Sequence, residues 1–391
     1  MKITDLKAYC VEMPLNEPGL RTVENPETVQ KTERFTLVRL LTDEGITGIG
    51  AQDVTHRWWS DYLEEHVKPI MLDEVIEPYY VERFVRYFRQ QPFGTMVSPR
   101  PCCVEMALWD LIGKKAKLPV YKLLGAYQDK VKAYASVLEE YPLWNPDKWS
   151  QFACELFEEG FRAVKLHIGW MWPDPQDVID VVKKIREDVG YDLDLMVDAM
   201  QAWTPRPLYD YQRALAYARG LEKYEVLWLE EPLPHFNNVE LSARLCANVD
   251  IPIAGGGAMF GYHTYKTVME SNALDIVQPD VMHAGGILEV RRIAFLAEAY
   301  GKLCVPHFWG PGIGLAATLQ VIGSTNIPWV EYCYHPPAFD YRARDAMLTE
   351  PMKIDKDGYV EIPKKPGLGI ELNEEYIRKN TKPVQDENYR P

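Results

Sequence analysis

From residue 131 onward the chain alternates two hydrophobic patterns. Short runs rich in β-branched and aromatic residues, such as "VKAYASV" (131–137), "FRAVKLHIG" (161–169) and "YEVLWLEEPL" (224–233), are each followed by a longer stretch with apolar residues at helical spacing. In "DPQDVIDVVKKIREDVG" (174–190), Val178, Val181, Val182, Ile185 and Val189 share one helix face, and Gly190 supplies the stop. The runs "LDLMVDAM", "DIPIAGGG", "LDIVQPDV", "KLCVPHFWG" and "PWVEYCYH" bring the strand candidates to eight. Strand–helix alternation at this spacing predicts parallel βαβ units. Eight of them fit a (β/α)8-type barrel, a modified TIM barrel, better than a doubly wound sheet.

The chain ahead of this repeat has another rhythm. "FTLVRLLTDEGITGIGAQ" (35–52) reads as two strands joined by a turn at Asp43, Glu44 and Gly45. "CCVEMALWDLIGKKA" (102–116) has helical spacing at Val104, Ala107, Leu108 and Leu111.

Composition narrows the functional classes. The 391 residues are 47% hydrophobic, ordinary for a chain with a large core. A net charge of −14 and a pI near 5.2 argue against a nucleic-acid partner, which requires a basic stripe. No Lys/Arg run has membrane-binding density, and no stretch approaches the roughly 18 apolar residues that span a bilayer. Seven cysteines without a CxxC pair suggest neither a disulfide framework nor a zinc site. The opening "MKITDLKAYCVEM" is charged from the start and lacks an apolar signal region, so a reduced, soluble, cytoplasmic protein is expected. No GxGxxG opens a helix and no GxxxxGK[ST] is present, which disfavours nucleotide binding.

A barrel of this kind places its chemistry at the C-terminal strand ends. Reading those positions in order gives Lys165 and His167, Asp198, Glu230, Gly257, Asp280, His307 and Glu331. Lys165 and His167 are two apart and share a strand face, while Val164 and Leu166 take the other. As plain packing they are two solvated polar residues. As chemistry they point into the barrel mouth, where adjacent cationic groups depress each other's pKa. Asp198 and Glu230 close the apolar runs "LDLMV" and "VLWL", and carboxylates there suit a hard-oxygen site for Mg2+ or pairing to Lys165. Glu231 is expected to point away from Glu230. Asp280 and His307 end neighbouring strands, where a carboxylate fixes a histidine tautomer; a structural histidine is the plain alternative. Cys246, Cys304 and Cys333 read as core residues.

Together "VKLHIG", "LMVDAMQAW", "LWLEEPL", "IVQPDVMHAGGI", "VPHFWGPGIGLAA" and "PWVEY", with "TDEGITGIGAQ" and "KPGLGIEL" near the two ends, resemble the enolase superfamily, in its mandelate racemase-like branch of acid-sugar dehydratases. The resemblance implies an α+β capping domain over residues 1–127, a barrel over 128–340 and a C-terminal segment, 341–391, returning to the cap. It implies Mg2+ held by strand-end carboxylates, Asp198 and Glu230 among them. It also implies Lys165 as a polarising group, His167 at the position of a base, and His307–Asp280 as a second acid/base. Glu331 would hydrogen-bond the substrate carboxylate. The expected activity is hydro-lyase chemistry on an aldonate or aldarate, giving a 2-keto-3-deoxy acid. A racemase, epimerase or cycloisomerase is the alternative.

Two positions depart from the family pattern. His167 stands where a second lysine is common. Gly257 stands where the family has its third metal-ligating glutamate, after "AGG", so an impaired or non-catalytic sugar-acid-binding protein is a further alternative. Specificity is expected from capping loops, about 15–33 and 51–59, with His56 and Arg57 as substrate-binding candidates or plain solvated loop residues. The expected partners are a small sugar acid and further copies of the chain in a homo-oligomer.

Overall fold

The computed structural model of the protein describes residues 1–21, 29–55, 57–90, 101–138, 145–168, 174–202, 209–234 and 238–382. The N-terminal region forms β1 (Ile3–Pro14), a small ribbon of β2 (Leu20–Arg21) and β3 (Val29–Gln30), then β4 (Thr32–Thr42) and β5 (Thr47–Gln52). β1, β4 and β5 are antiparallel neighbours, and the β4–β5 turn falls where Asp43 and Gly45 predict it. The helix Cys102–Ala116 is buried from Cys102 to Gly113 and lies directly on β5. Gly48 and Gly50 permit that approach: a Cβ at Gly50 would collide with the Cys103 carbonyl.

The eight strand candidates are all strands. They are β6 (Lys130–Val137), β7 (Ala163–His167), β8 (Asp194–Asp198), β9 (Val226–Glu230), β10 (Ile253–Gly255), β11 (Ile276–Val277), β12 (Leu303–Cys304) and β13 (Trp329–Cys333). Pairing runs in parallel from β6 through β12, and β13 pairs in parallel with β6, so the sheet curls until last strand meets first. At the remaining seam, Phe308 N donates to Glu331 Oε2 at 2.9 Å and Cys333 Sγ to Phe308 O at 3.0 Å. β14 (Tyr359–Glu361) adds antiparallel to β6, and β15 (Thr381–Lys382) returns to pair with β1.

Strand alternation sorts the core into two parts. Tyr134, Ala163, Met196, Trp228, Ala254, Ile276 and Val305 pack as an apolar plug inside the barrel. Val164, Leu166, Leu195, Val197 and Leu229 face outward into the larger core shared with the helices. The capping region is fixed to the barrel through Glu105, a buried carboxylate on the helix Cys102–Ala116. It accepts from Ile287 N at 2.7 Å and Leu288 N at 2.9 Å, capping the barrel helix Ile287–Ala299 across the domain boundary. Burial pushes its pKa up to about 8 against those donors.

The polar positions are not level with one another, as a simple strand-end reading expects. Lys165 and Glu331 lie in mid-strand, whereas Asp280 and His307 lie three residues beyond β11 and β12. The site therefore has a deep layer and a shallow one.

Candidate active site

In the deep layer the Lys165 ammonium is wholly buried among carboxylates. Its Nζ is 2.7 Å from Glu331 Oε1, 2.8 Å from Glu230 Oε1 and 3.7 Å from Asp198 Oδ2. Burial opposes its charge, but the three carboxylates outweigh burial and hold its pKa above the ordinary lysine value. The expectation that Lys165 and His167 depress each other is thus half wrong. Only His167 falls, to about 3, through burial first and the neighbouring ammonium second. Its Nδ1 lies 2.8 Å from the Val137 carbonyl, which makes Nδ1 the protonated nitrogen, and Nε2 is 3.4 Å from Asp198 Oδ2.

The carboxylates are also locked from the other side. Glu230 Oε2 accepts from Gln278 Nε2 at 2.7 Å and Trp228 Nε1 at 3.2 Å. Glu331 accepts from Ser136 Oγ at 2.6 Å as well as from Phe308 N and Lys165. Although burial opposes it, Lys165 and then His307 keep Glu331 below the usual carboxylate range, so it is ionised and accepts only. Asp198 goes the other way: burial, and then Glu230, raise its pKa well above the ordinary value. Its Oδ1 accepts from Met200 N at 2.7 Å.

The shallow layer is built on imidazole. His307 Nδ1 lies 2.7 Å from Asp280 Oδ2, and Asp280 Oδ1 accepts from Met282 N at 2.6 Å. Burial lowers the His307 pKa, but the Asp280 bond and the Glu331 charge overcome it and raise the net value. A third histidine, unassigned in the sequence reading, joins them. The His283 ring lies 6.3 Å from that of His307 at 27°. Its Nε2 is 2.8 Å from Asp53 Oδ2, just past β5 in the capping region, and its Nδ1 is 3.2 Å from the Gly257 carbonyl. Burial opposes its charge, yet Asp53 and Asp280 lift its pKa to about 10. A histidine three residues after Asp280 was visible in "PDVMH"; its partner, 230 positions away, was not.

Gly257 abuts this layer. A Cβ there would stand 3.0 Å from His307 Cγ and 3.1 Å from Cδ2, so the histidine ring borders the space a side chain would need. Glu231 does not turn away from the site. β9 ends at Glu230, and Glu231 takes a left-handed φ of 45°, which breaks the two-residue alternation. Its carboxyl stays buried, accepts from Gly256 N at 3.4 Å, and is pushed up to about 7 by burial and by Glu230. Trp309, stacked on Phe339 with centroids 5.1 Å apart, packs edge-on to His167 and forms a wall. His56 and the Arg57 side chain lie outside the described residues.

Asp198 and Glu230 are the two carboxylates that the family pattern assigns to Mg2+, and Glu231 keeps a further carboxyl buried beside them. The buried Gln278 Oε1, which accepts no hydrogen bond among the described residues, is a neutral oxygen beside Glu230. This donor set fits a cation that keeps several of its waters, as Mg2+ does.

Residues 148–376 match the enolase C-terminal domain-like family, and residues 5–125 match the mandelate racemase/muconate lactonizing enzyme N-terminal domain. The chain is 33% identical over 315 residues to arabinonate dehydratase of Saccharolobus solfataricus, covering 80% of each protein. It is 32% identical over 283 residues to D-galactarolactone cycloisomerase of Agrobacterium fabrum, covering 70% of this chain and 71% of that one. Among solved structures it superimposes on the magnesium complex of D-glucarate dehydratase from Agrobacterium tumefaciens with a TM-score of 0.85 and 28% identity, covering 98% of this chain and all of the other. With both domains matched in order over most of its length, the chain belongs to the mandelate racemase/muconate lactonizing enzyme family of the enolase superfamily.

Proposed function

We propose that the protein is a hydro-lyase that dehydrates a sugar acid, an aldonate or aldarate, to a 2-keto-3-deoxy acid. The observation that carries this reading is the His307–Asp280 pair, 2.7 Å apart above a buried ammonium–carboxylate cluster. Asp280 Oδ2 accepts a hydrogen bond from His307 Nδ1–H, which leaves Nε2 as the nitrogen for substrate and favours the imidazolium once Nε2 is protonated. Neutral His307 takes the proton from C2, and the resulting imidazolium returns it to the hydroxyl departing from C3. Water and an enol result; the enol tautomerises to the 2-keto acid, and His307 is again neutral.

The deep layer acts on charge. The Lys165 ammonium is fixed where negative charge develops on the substrate carboxylate, and Glu331, itself held by Ser136, keeps it there. Trp309 and Phe339 exclude water from one side. Mg2+, held by Asp198 and Glu230, would supply Lewis-acid stabilisation of the enediolate oxygens.

The relationship to a cycloisomerase at 32% identity supports a second reading, since cycloisomerisation, racemisation and epimerisation of a carboxylate can open with the same α-proton removal. The test is a panel of aldonates and aldarates in deuterated water. Dehydration gives a 2-keto-3-deoxy acid, whereas the alternatives give exchange at C2 without loss of water. No exchange and no product with any acid that binds would sink both readings and leave a sugar-acid-binding protein.

A further inference from the structure

We propose that Asp280, His283 and His307 form a binding site for one borderline transition-metal cation of the zinc class, separate from the carboxylates of Asp198 and Glu230. Each residue offers one ligand atom, and the three atoms lie within 4.8 Å of one another. Asp280 Oδ2 stands 2.7 Å from His307 Nδ1 and 3.9 Å from His283 Nδ1, so about one ion the first pair opens slightly and the second closes slightly. Two imidazoles and a carboxylate suit Zn2+ and its neighbours; Mg2+ prefers an all-oxygen set.

Three features beyond the cluster favour such an ion. The outer nitrogen of His283 is held by Asp53 at 2.8 Å, the outer-shell carboxylate that metal-bound histidines use to fix ring and tautomer. The Gly257 carbonyl, 3.2 Å from His283 Nδ1, adds an oxygen beside the inner nitrogen. The ligands are also reachable: the His283 and His307 side chains are 21% and 15% exposed, although Asp280 is buried. An ion here takes the place of the proton that each Nδ1 shares with its oxygen partner. Gly257 belongs to the arrangement, because a side chain at that position would press on the His307 ring.

Binding also has a catalytic consequence, which rests on the dyad reading above. The ion occupies His307 Nδ1 and the carboxylate that orients it, so zinc blocks the reaction while magnesium does not compete for the site.

The experiment is zinc titration of the metal-stripped full chain against a chromophoric zinc indicator. One equivalent should bind to the unmodified protein. His283→Asn should weaken binding at least about tenfold, with Asp53→Asn weakening it less, while Asp198→Asn with Glu230→Gln leaves it unchanged. X-ray absorption on the zinc-loaded protein should show two imidazole nitrogens at about 2.0 Å. Unchanged affinity in a folded His283→Asn protein, or loss of binding in the Asp198/Glu230 variant, overturns the site. Zinc that binds as described but leaves α-proton exchange running overturns the dyad reading and leaves the site standing.

Discussion

The two layers of the barrel mouth use the same residue types to opposite effect. In the deep layer an ammonium, a histidine and three carboxylates are dry and mutually compensated; His167 is driven to about 3 while Glu230 and Glu331 stay ionised. In the shallow layer His283 is lifted to about 10, and His307 also rises. Burial lowers all three histidines, and what separates the two environments is the charge that adds to it or opposes it. His167 adjoins the Lys165 ammonium, while His283 and His307 adjoin the carboxylates of Asp53 and Asp280. A histidine's role in this barrel therefore follows from which layer it enters.

The largest expected effect breaks the shallow layer. His307→Asn should lower α-proton exchange, followed by NMR in deuterated water, by about 10²–10⁴-fold, the usual span for a lost general base. An exchange rate within a factor of a few of the unmodified protein would remove His307 from the reaction. Breaking the deep layer should show in stability as well as in activity. Lys165→Met leaves Glu230, Glu331 and Asp198 facing one another without their cation, and urea denaturation should register a loss of about 3–5 kcal/mol.

Gly257→Glu probes the boundary between the layers. Restoring a carboxylate adds an oxygen donor toward Mg2+, but its Cβ starts 3.0 Å from the His307 ring. Calorimetry should show tighter Mg2+ binding, while overpacking costs about 1–3 kcal/mol of stability and weakens the His307–Asp280 bond. A variant that gains Mg2+ affinity and keeps full stability would show that the ring yields freely.

The smallest effect belongs to the Asp53–His283 contact between cap and barrel. Because the folded-state pKa of His283 is raised to about 10, its contribution is complete below the unfolded value and fades as pH climbs toward 10. Asp53 is held below its ordinary range, chiefly by His283 against the opposing effect of burial, so its share is lost only in acid. The Asp53 side chain is 38% exposed and screened by water, which limits the pair to about 1 kcal/mol at most. Melting of Asp53→Asn against the unmodified protein should show a small deficit near pH 6 that closes toward pH 10. A deficit that grows with pH would contradict the assigned charges.

Much of the architecture was legible because it is local and periodic. Each barrel strand carries its own two-residue alternation, which set Val164 and Leu166 outward and Lys165 and His167 inward without reference to any other segment. Glu231 escaped that logic because alternation ends with the strand, and a single left-handed residue kept its carboxyl inside. The residue types at the strand ends were equally plain, but their charge states were not. Lys165 is raised, and not depressed, because three carboxylates converge on it from strands that lie far apart in the chain.

By itself, the sequence determined the eight-strand alternation, the antiparallel hairpin ahead of it, and most of the ionisable side chains at the barrel mouth, Glu231 and His283 excepted. Each of these follows from neighbours a few residues apart. Only the tertiary structure decided that Asp53 meets His283, that Gln278 reaches Glu230, that Ser136 and the Phe308 amide hold Glu331, and that the space beside Gly257 belongs to His307. Those pairings join segments between 23 and 230 residues apart, and no local pattern encodes them. They arise when the closing sheet brings separate strand ends, and the cap above them, within a few ångströms.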